Sequence, residues 1–190
     1  MTTSPQPDLR AEIETLIRDL VASYTRQHQF LSVKSLVTGN GIIVAVKADD
    51  SDQACIVGSG GKHIKALKFI VAAISRNQDI GINLTLLEAE KNGRFEQVPY
   101  AADPNWDHEP TTSLLHRVLE LAMPVPYRVQ KFDIDTLTNY EIATVGSYVP
   151  EGLESLIQQL HFLFHAAGKR SGREIHVSLV KPVRHDGSPL

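Results

Sequence analysis

The sequence predicts an α+β protein built from two similar units, and three observations predict it. Apolar residues recur at helical spacing in four long segments, and shorter runs between them alternate apolar with polar residues as half-buried strands do. The order of these elements in residues 8–90 returns in outline in residues 111–182. Between the two lies 91–110, where an Asn-Gly pair, several prolines and the run Asp103-Pro104-Asn105-Trp106-Asp107-His108 leave no period, so it reads as a connection. Phe95, Tyr100 and Trp106 are expected to pin that connection to a surface.

The chain of 190 residues suffices for one ordinary domain or two small ones. Hydrophobic residues make up 42% and charged residues 22%, the balance of a soluble globular protein. No apolar run approaches the roughly 20 residues of a membrane span, so no membrane partner is expected. Met1 to Asp8 lacks the basic and apolar regions of a secretion signal. A single cysteine, Cys55, rules out an internal disulfide and a cysteine-rich zinc site, and a cytoplasmic location is expected. Cys55 itself, between Ala54 and Ile56, reads as a small buried apolar residue. The net charge of −3 gives no global pull toward nucleic acid, so any such binding would need a local patch.

Asp8 is placed to cap a helix whose stripe is Leu9, Ile13, Leu16, Ile17, Leu20, Val21 and Tyr24. Arg10, Glu14, Arg18 and Arg26 lie on its other side. Phe30 to Val37 and Ile42 to Val46 read as a hairpin around Thr38-Gly39-Asn40-Gly41. Asp49 to Asp52 offer caps for a short helix, Gln53 to Val57. Three glycines, Gly58, Gly60 and Gly61, then break any regular element. A long helix follows from Gly61 to about Arg76, burying Ile64, Leu67, Ile70, Val71 and Ile74, and Ile80 to Leu87 alternates as a third strand.

The glycine turn carries the chemistry. A helix start presents unpaired N–H groups and the positive end of its macrodipole, which suits an anion. Gly58 and Gly61 permit a tight turn, Ser59 and Gly60 fill its middle, and N–H groups near Gly60 and Gly61 are expected to face the anion. Lys62 and Lys65 are neighbours on the new helix and would add salt-dependent attraction. His63 is a candidate to stack on, or hydrogen-bond to, a base.

With Val57-Gly58-Ser59-Gly60-Gly61-Lys62-His63-Ile64 at the junction of two helices, this order of elements resembles a type II KH domain. Residues from about 9 to 89 are similar to the small bacterial single-KH RNA-binding proteins of the KhpA type. The resemblance implies an α-β-β-α-α-β unit with a three-stranded sheet and helices on one face. It also implies that single-stranded RNA lies beside the GxxG turn, as KH domains clamp about four nucleotides. The implied RNA-binding residues are Gly58, Ser59, Gly60, Gly61, Lys62, His63 and Lys65. One departure is that no basic residue stands between the glycines, which leaves phosphate contacts to the backbone and the helix lysines.

In the second half, Thr112 to Met123 reads as a helix stopped by Pro124 and Pro126. Val125 to Ile134 is expected as a strand, Leu137-Thr138-Asn139 as a turn and Tyr140 to Val145 as the next strand. A helix opens near Pro150, buries Leu153, Leu156, Ile157, Leu160, Leu163, Phe164 and Ala167, and ends at Gly168. Glu174 to Val180 closes as a strand. Leu67 and Ile82 are as far apart as Leu160 and Ile175, but Val145 to Ile157 is shorter than Val46 to Ile64. The missing stretch is the short helix and glycine turn, replaced by Ser147-Tyr148-Val149-Pro150-Glu151-Gly152. This αββαβ unit looks like a degenerate KH copy without GxxG, suited to packing on the first unit, to dimerising or to binding a protein.

His161 and His165 have a spacing that can hold a metal, but no Glu, Asp or Cys is recognisable as a third ligand, so a surface pair and no metal are expected. Lys169-Arg170-Ser171-Gly172-Arg173 is a basic turn that could touch phosphates, though a solvated helix end is the default. No nucleophile with a base, paired-carboxylate motif or P-loop spacing is found, so neither an enzyme nor a cofactor is expected. The leading expectation is a non-enzymatic protein that binds single-stranded RNA in post-transcriptional regulation or RNA chaperoning, with a homodimeric or protein partner. The alternative is an interaction or dimerisation module on duplicated KH scaffolds, which the net acidity and the lost second turn favour.

Overall fold

In the computed structural model, residues 8–26, 30–39, 41–87, 111–145 and 148–180 are described. The connection 91–110 with its three aromatics, Asn40 of the hairpin turn and Ser147 lie outside them.

The first half runs α1 (Leu9–Tyr24), β1 (Ser32–Thr38), β2 (Gly41–Lys47), α2 (Asp50–Val57), α3 (Lys62–Asn77) and β3 (Ile82–Leu86). The Asp8 carboxylate caps α1 by accepting from the Arg10 N–H at 3.2 Å, and Asp49 caps α2 by accepting from Asp52 N–H at 2.8 Å. β1 pairs antiparallel with β2, and β2 pairs parallel with β3, giving the order β1-β2-β3. A parallel pair needs a crossover, and α2, the glycine turn and α3 supply it.

The second half runs α4 (Thr111–Ala122), β4 (Tyr127–Ile134), β5 (Leu137–Thr144), α5 (Leu153–Arg170) and β6 (Glu174–Leu179). Its sheet has the same plan, β4 antiparallel to β5 and β5 parallel to β6. The molecule is thus α+β with two three-stranded sheets and helices. Among the described residues, no helix is long and apolar enough to cross a membrane.

Several expectations are corrected. The hairpin of the second sheet turns at Asp135-Thr136, not at Leu137-Thr138-Asn139, which lie in β5 opposite Ile134, Asp133 and Phe132. Asp135 takes φ 51°, a left-handed conformation that aspartate tolerates better than most residues. Buried Thr138 donates its hydroxyl to Asp133 at 2.7 Å, so this turn-forming residue type serves the strand. Helix α5 runs to Arg170, past Gly168, which lies so close to the Arg173 carbonyl and Ile175 that a Cβ there would clash with both. Cys55 is half-buried and free, because α2 lays Ile56 rather than Cys55 into the core. Ile64 and Ala167 are half-buried at the core's rim.

One cluster of buried side chains runs through both halves, from Ile13, Leu16 and Ile17 of α1 and Leu67, Ile70 and Ile74 of α3 to Leu115, Leu119, Leu160 and Phe164. Helices α1 and α3 pack against α4 and α5. Polar groups lock the same seam. Arg117 of α4 forms a close ion pair with Asp19 of α1, whose side chain is only 8% exposed. Asn77 at the end of α3 donates to the carbonyls of Leu121 (3.0 Å) and Met123 (3.2 Å), and Gln78 donates to Leu121 (3.1 Å). Arg170 donates to the Ala22 carbonyl at 2.7 Å. Side chains from one half thus satisfy carbonyls at the helix ends of the other, which would otherwise need water or caps.

Candidate functional site

The glycine turn is a single 3-10 turn, Ser59–Gly61, between α2 and α3. Gly58 has φ 70° and ψ 168°, a region open to little but glycine, and a Cβ there would sit 2.6 Å from the His63 ring. Gly61 is left-handed at φ 74° and ψ 20° and is the N-cap of α3. Backbone conformation therefore accounts for glycine at both ends. Gly60 is also left-handed, at φ 62°, yet a Cβ on it would meet nothing within 4 Å. Ser59 and Gly60 are exposed, so the middle of the turn faces solvent.

The turn spends several of its donors internally. Gly58 N–H donates to the Ala54 carbonyl at 2.9 Å, Gly61 N–H to Gly58 at 3.0 Å, and Lys62 N–H to Ser59. The amide of Gly61, expected to face an anion, thus closes the turn instead.

Lys62 and Lys65 are exposed on the first turn of α3. A Cβ on Gly61 would lie 3.7 Å from Lys65 Cε, so the Lys65 stem runs back along the turn. Lys68, one turn further and also exposed, extends the row, and its 62/65/68 spacing was available in the sequence. His63 is turned inward. Its Nδ1 lies 2.8 Å from the Cys55 carbonyl, which can only accept, so Nδ1 carries the proton in that contact. Its ring packs against Gly58 and lies 5.4 Å from the Tyr24 ring.

Sequence reasoning had no means of placing Tyr24 beneath this turn. It is buried, and its hydroxyl has no hydrogen-bond partner among the described residues. Burial, and after it the neighbouring Cys55, push its pKa well above the usual tyrosine range.

The second half differs. Between the end of β5 and the start of α5 the described residues contain no counterpart of α2. Helix α5 begins behind Gly152, left-handed at φ 82°, and Leu153 N–H donates to the Pro150 carbonyl. The basic turn after α5 is engaged. Arg170 holds Ala22, and Arg173 donates to Asp133 (3.1 Å) and Thr138 (2.8 Å). The turn is exposed, as expected of a solvated helix end, and these two arginines also hold partners within the chain.

A second constellation was only half visible in the sequence. His161 and His165 lie with ring centres 5.8 Å apart, and His176 of β6 joins them at 5.2 Å from His161 and 6.3 Å from His165. Burial, with the neighbouring His176 and His165, holds the His161 pKa below its ordinary value. A partner on a strand after the helix carries no local signal, so the third histidine escaped a search by spacing.

No protein-family model and no curated protein matches this chain. Among solved structures, it is similar to the crystal structure of APE1850, at 10% identity and a TM-score of 0.29 over 92% of this chain and 100% of that one. A likeness at that level bears on neither the fold nor the activity.

Proposed function

We propose that this chain is a non-enzymatic RNA-binding protein of the type II KH class, holding single-stranded RNA at the Gly58–Gly61 turn. One observation carries the reading: an exposed glycine turn at the junction of two helices, with Lys62, Lys65 and Lys68 exposed in a row behind it. The element order α1-β1-β2-α2-turn-α3-β3, with β2 parallel to β3, supports it. Phosphates would run past Ser59 and Gly60, where nothing crowds an approaching backbone, and meet the start of α3. The lysines supply the long-range attraction that the net charge of −3 does not. His63 serves the shape of the turn through Cys55 rather than reading a base.

The test is the binding of a fluorescein-labelled single-stranded RNA to the intact chain and to the double substitution Ser59→Asp, Gly60→Asp across a salt series. Aspartate has room at Gly60 and bears its left-handed conformation better than most residues, at a strain of about 1 kcal/mol, and far-UV circular dichroism of the variant checks that the fold is kept. Wild-type binding that weakens with salt, and its loss in the variant, are expected. No wild-type binding, or equal binding by the variant, sinks the reading.

A second reading, an assembly module, rests on Phe132 (45% exposed) and Ile134 (65% exposed), which stand on the solvent side of the second sheet. Sedimentation of the intact chain tests it, since a monomer at high concentration rules out self-assembly through that face.

A further inference from the structure

We propose that His161, His165 and His176 form a binding site for one borderline divalent metal ion of the zinc or nickel class, joining helix α5 to strand β6. The proposal is independent of the RNA reading and rests on the placement of three imidazoles.

Rotation about the Cβ–Cγ bond, a broad torsion, turns an imidazole's nitrogens while its centre stays nearly fixed. A metal about 2.0–2.1 Å from each nitrogen sits about 3.2 Å from each ring centre, so rings at a tetrahedral angle are about 5.2 Å apart, and somewhat further at wider angles. The observed separations are 5.2, 5.8 and 6.3 Å. Among the described residues, no three His, Cys, Asp or Glu side chains stand in a position to hold a metal ion, and the point equidistant from the three ring centres is about 3.4 Å from each, so a tetrahedral site requires ring rotation and closure of the two wider pairs by several tenths of an ångström.

The hydrogen bonds show which nitrogens are available. His176 Nε2 lies 2.7 Å from Glu174 Oε1, where it donates and leaves Nδ1 as the lone-pair nitrogen. A carboxylate holding the far side of an imidazole is the usual support of a metal-bound histidine. His161 Nδ1 accepts from the Val177 N–H at 3.3 Å, a long bond that shows a lone pair on that atom. His165 Nδ1 is buried with no partner among the described residues, an unmet polar group that a cation would satisfy. Imidazole donors favour zinc, nickel and copper over magnesium or calcium.

The experiment is calorimetric titration of the full chain with Zn²⁺ and, separately, Ni²⁺, for wild type, His161→Gln, His165→Gln, His176→Gln and His116→Gln. One equivalent bound by wild type is expected, with affinity reduced about tenfold or more by each cluster substitution and unchanged by His116→Gln. As a check free of mutation, zinc should shift the ring resonances of His161, His165 and His176 together. No binding, binding unaffected by the three cluster substitutions, or zinc shifts confined to other histidines would overturn the proposal.

Discussion

The two halves share a strand plan and part at one connection. In the first, the chain leaves β2 through α2 and the glycine turn before entering α3. In the second, it passes from β5 to α5 with no intervening helix among the described residues. Both long helices begin behind a left-handed glycine, Gly61 and Gly152, so both need a sharp entry. The second half shows that a three-stranded sheet of this order closes without α2 and a GxxG turn. Core packing explains part of their presence in the first half, since α2 contributes fully buried Ile56. It does not explain why Ser59 and Gly60 stand open to solvent.

That comparison can be broken at its base by asking whether the halves are one unit. Phe164 is 1% exposed in the shared core, and Phe164→Ala should cost about 3–5 kcal/mol in urea unfolding. Hydrogen exchange should accelerate in both sheets at once, and unchanged protection of Val44 and Val46 would show that the first half stands alone. Arg117→Ala removes the ion pair that joins buried Asp19 to α4 across the seam and should cost about 1–3 kcal/mol by the same measurement. A loss below about 0.5 kcal/mol would mean that the pair behaves as a surface ion pair.

Two turn glycines, Gly58 of the first half and Gly152 of the second, sharpen the contrast. Gly58→Ala meets a forbidden conformation and the His63 ring, and should cost about 2–3 kcal/mol. Gly152→Ala meets only the far end of Arg76 at 4.0 Å, so the left-handed penalty alone, about 1 kcal/mol, applies. Equal losses would deny the first turn its special geometry. The smallest effect concerns pH. The unfolded chain takes up a proton at His161 near pH 6.5, while the folded chain resists it, so this contribution to stability is full above that value and declines as pH falls below it. Between pH 7 and 5 the urea midpoint should fall less in His161→Gln than in wild type, and a steeper fall in the variant would reverse the assigned direction.

Most of the fold was legible because its helices carry unbroken apolar stripes, as from Ile13 to Tyr24 and from Leu153 to Phe164. The glycine turn was legible because its geometry is local. What escaped was set by distant partners. Thr138 and Asn139 look like turn formers until Asp133 and Phe132 are placed opposite them. His63 looked available until the Cys55 carbonyl claimed it, and the basic turn looked free until Asp133 and Ala22 took Arg173 and Arg170. The packing of the halves through Asp19, Asn77 and Gln78 left no periodic trace at all.

The contact of His63 with Gly58 and Cys55 has a thermodynamic consequence. A glycine-rich segment ordinarily loses much conformational freedom when a ligand seizes it. Here the first residue of α3 but one is fastened to the helix before the turn, so that loss has already been met in folding. An arriving phosphate chain would find a preorganised cradle, and association would be opposed mainly by the ordering of the nucleic acid itself.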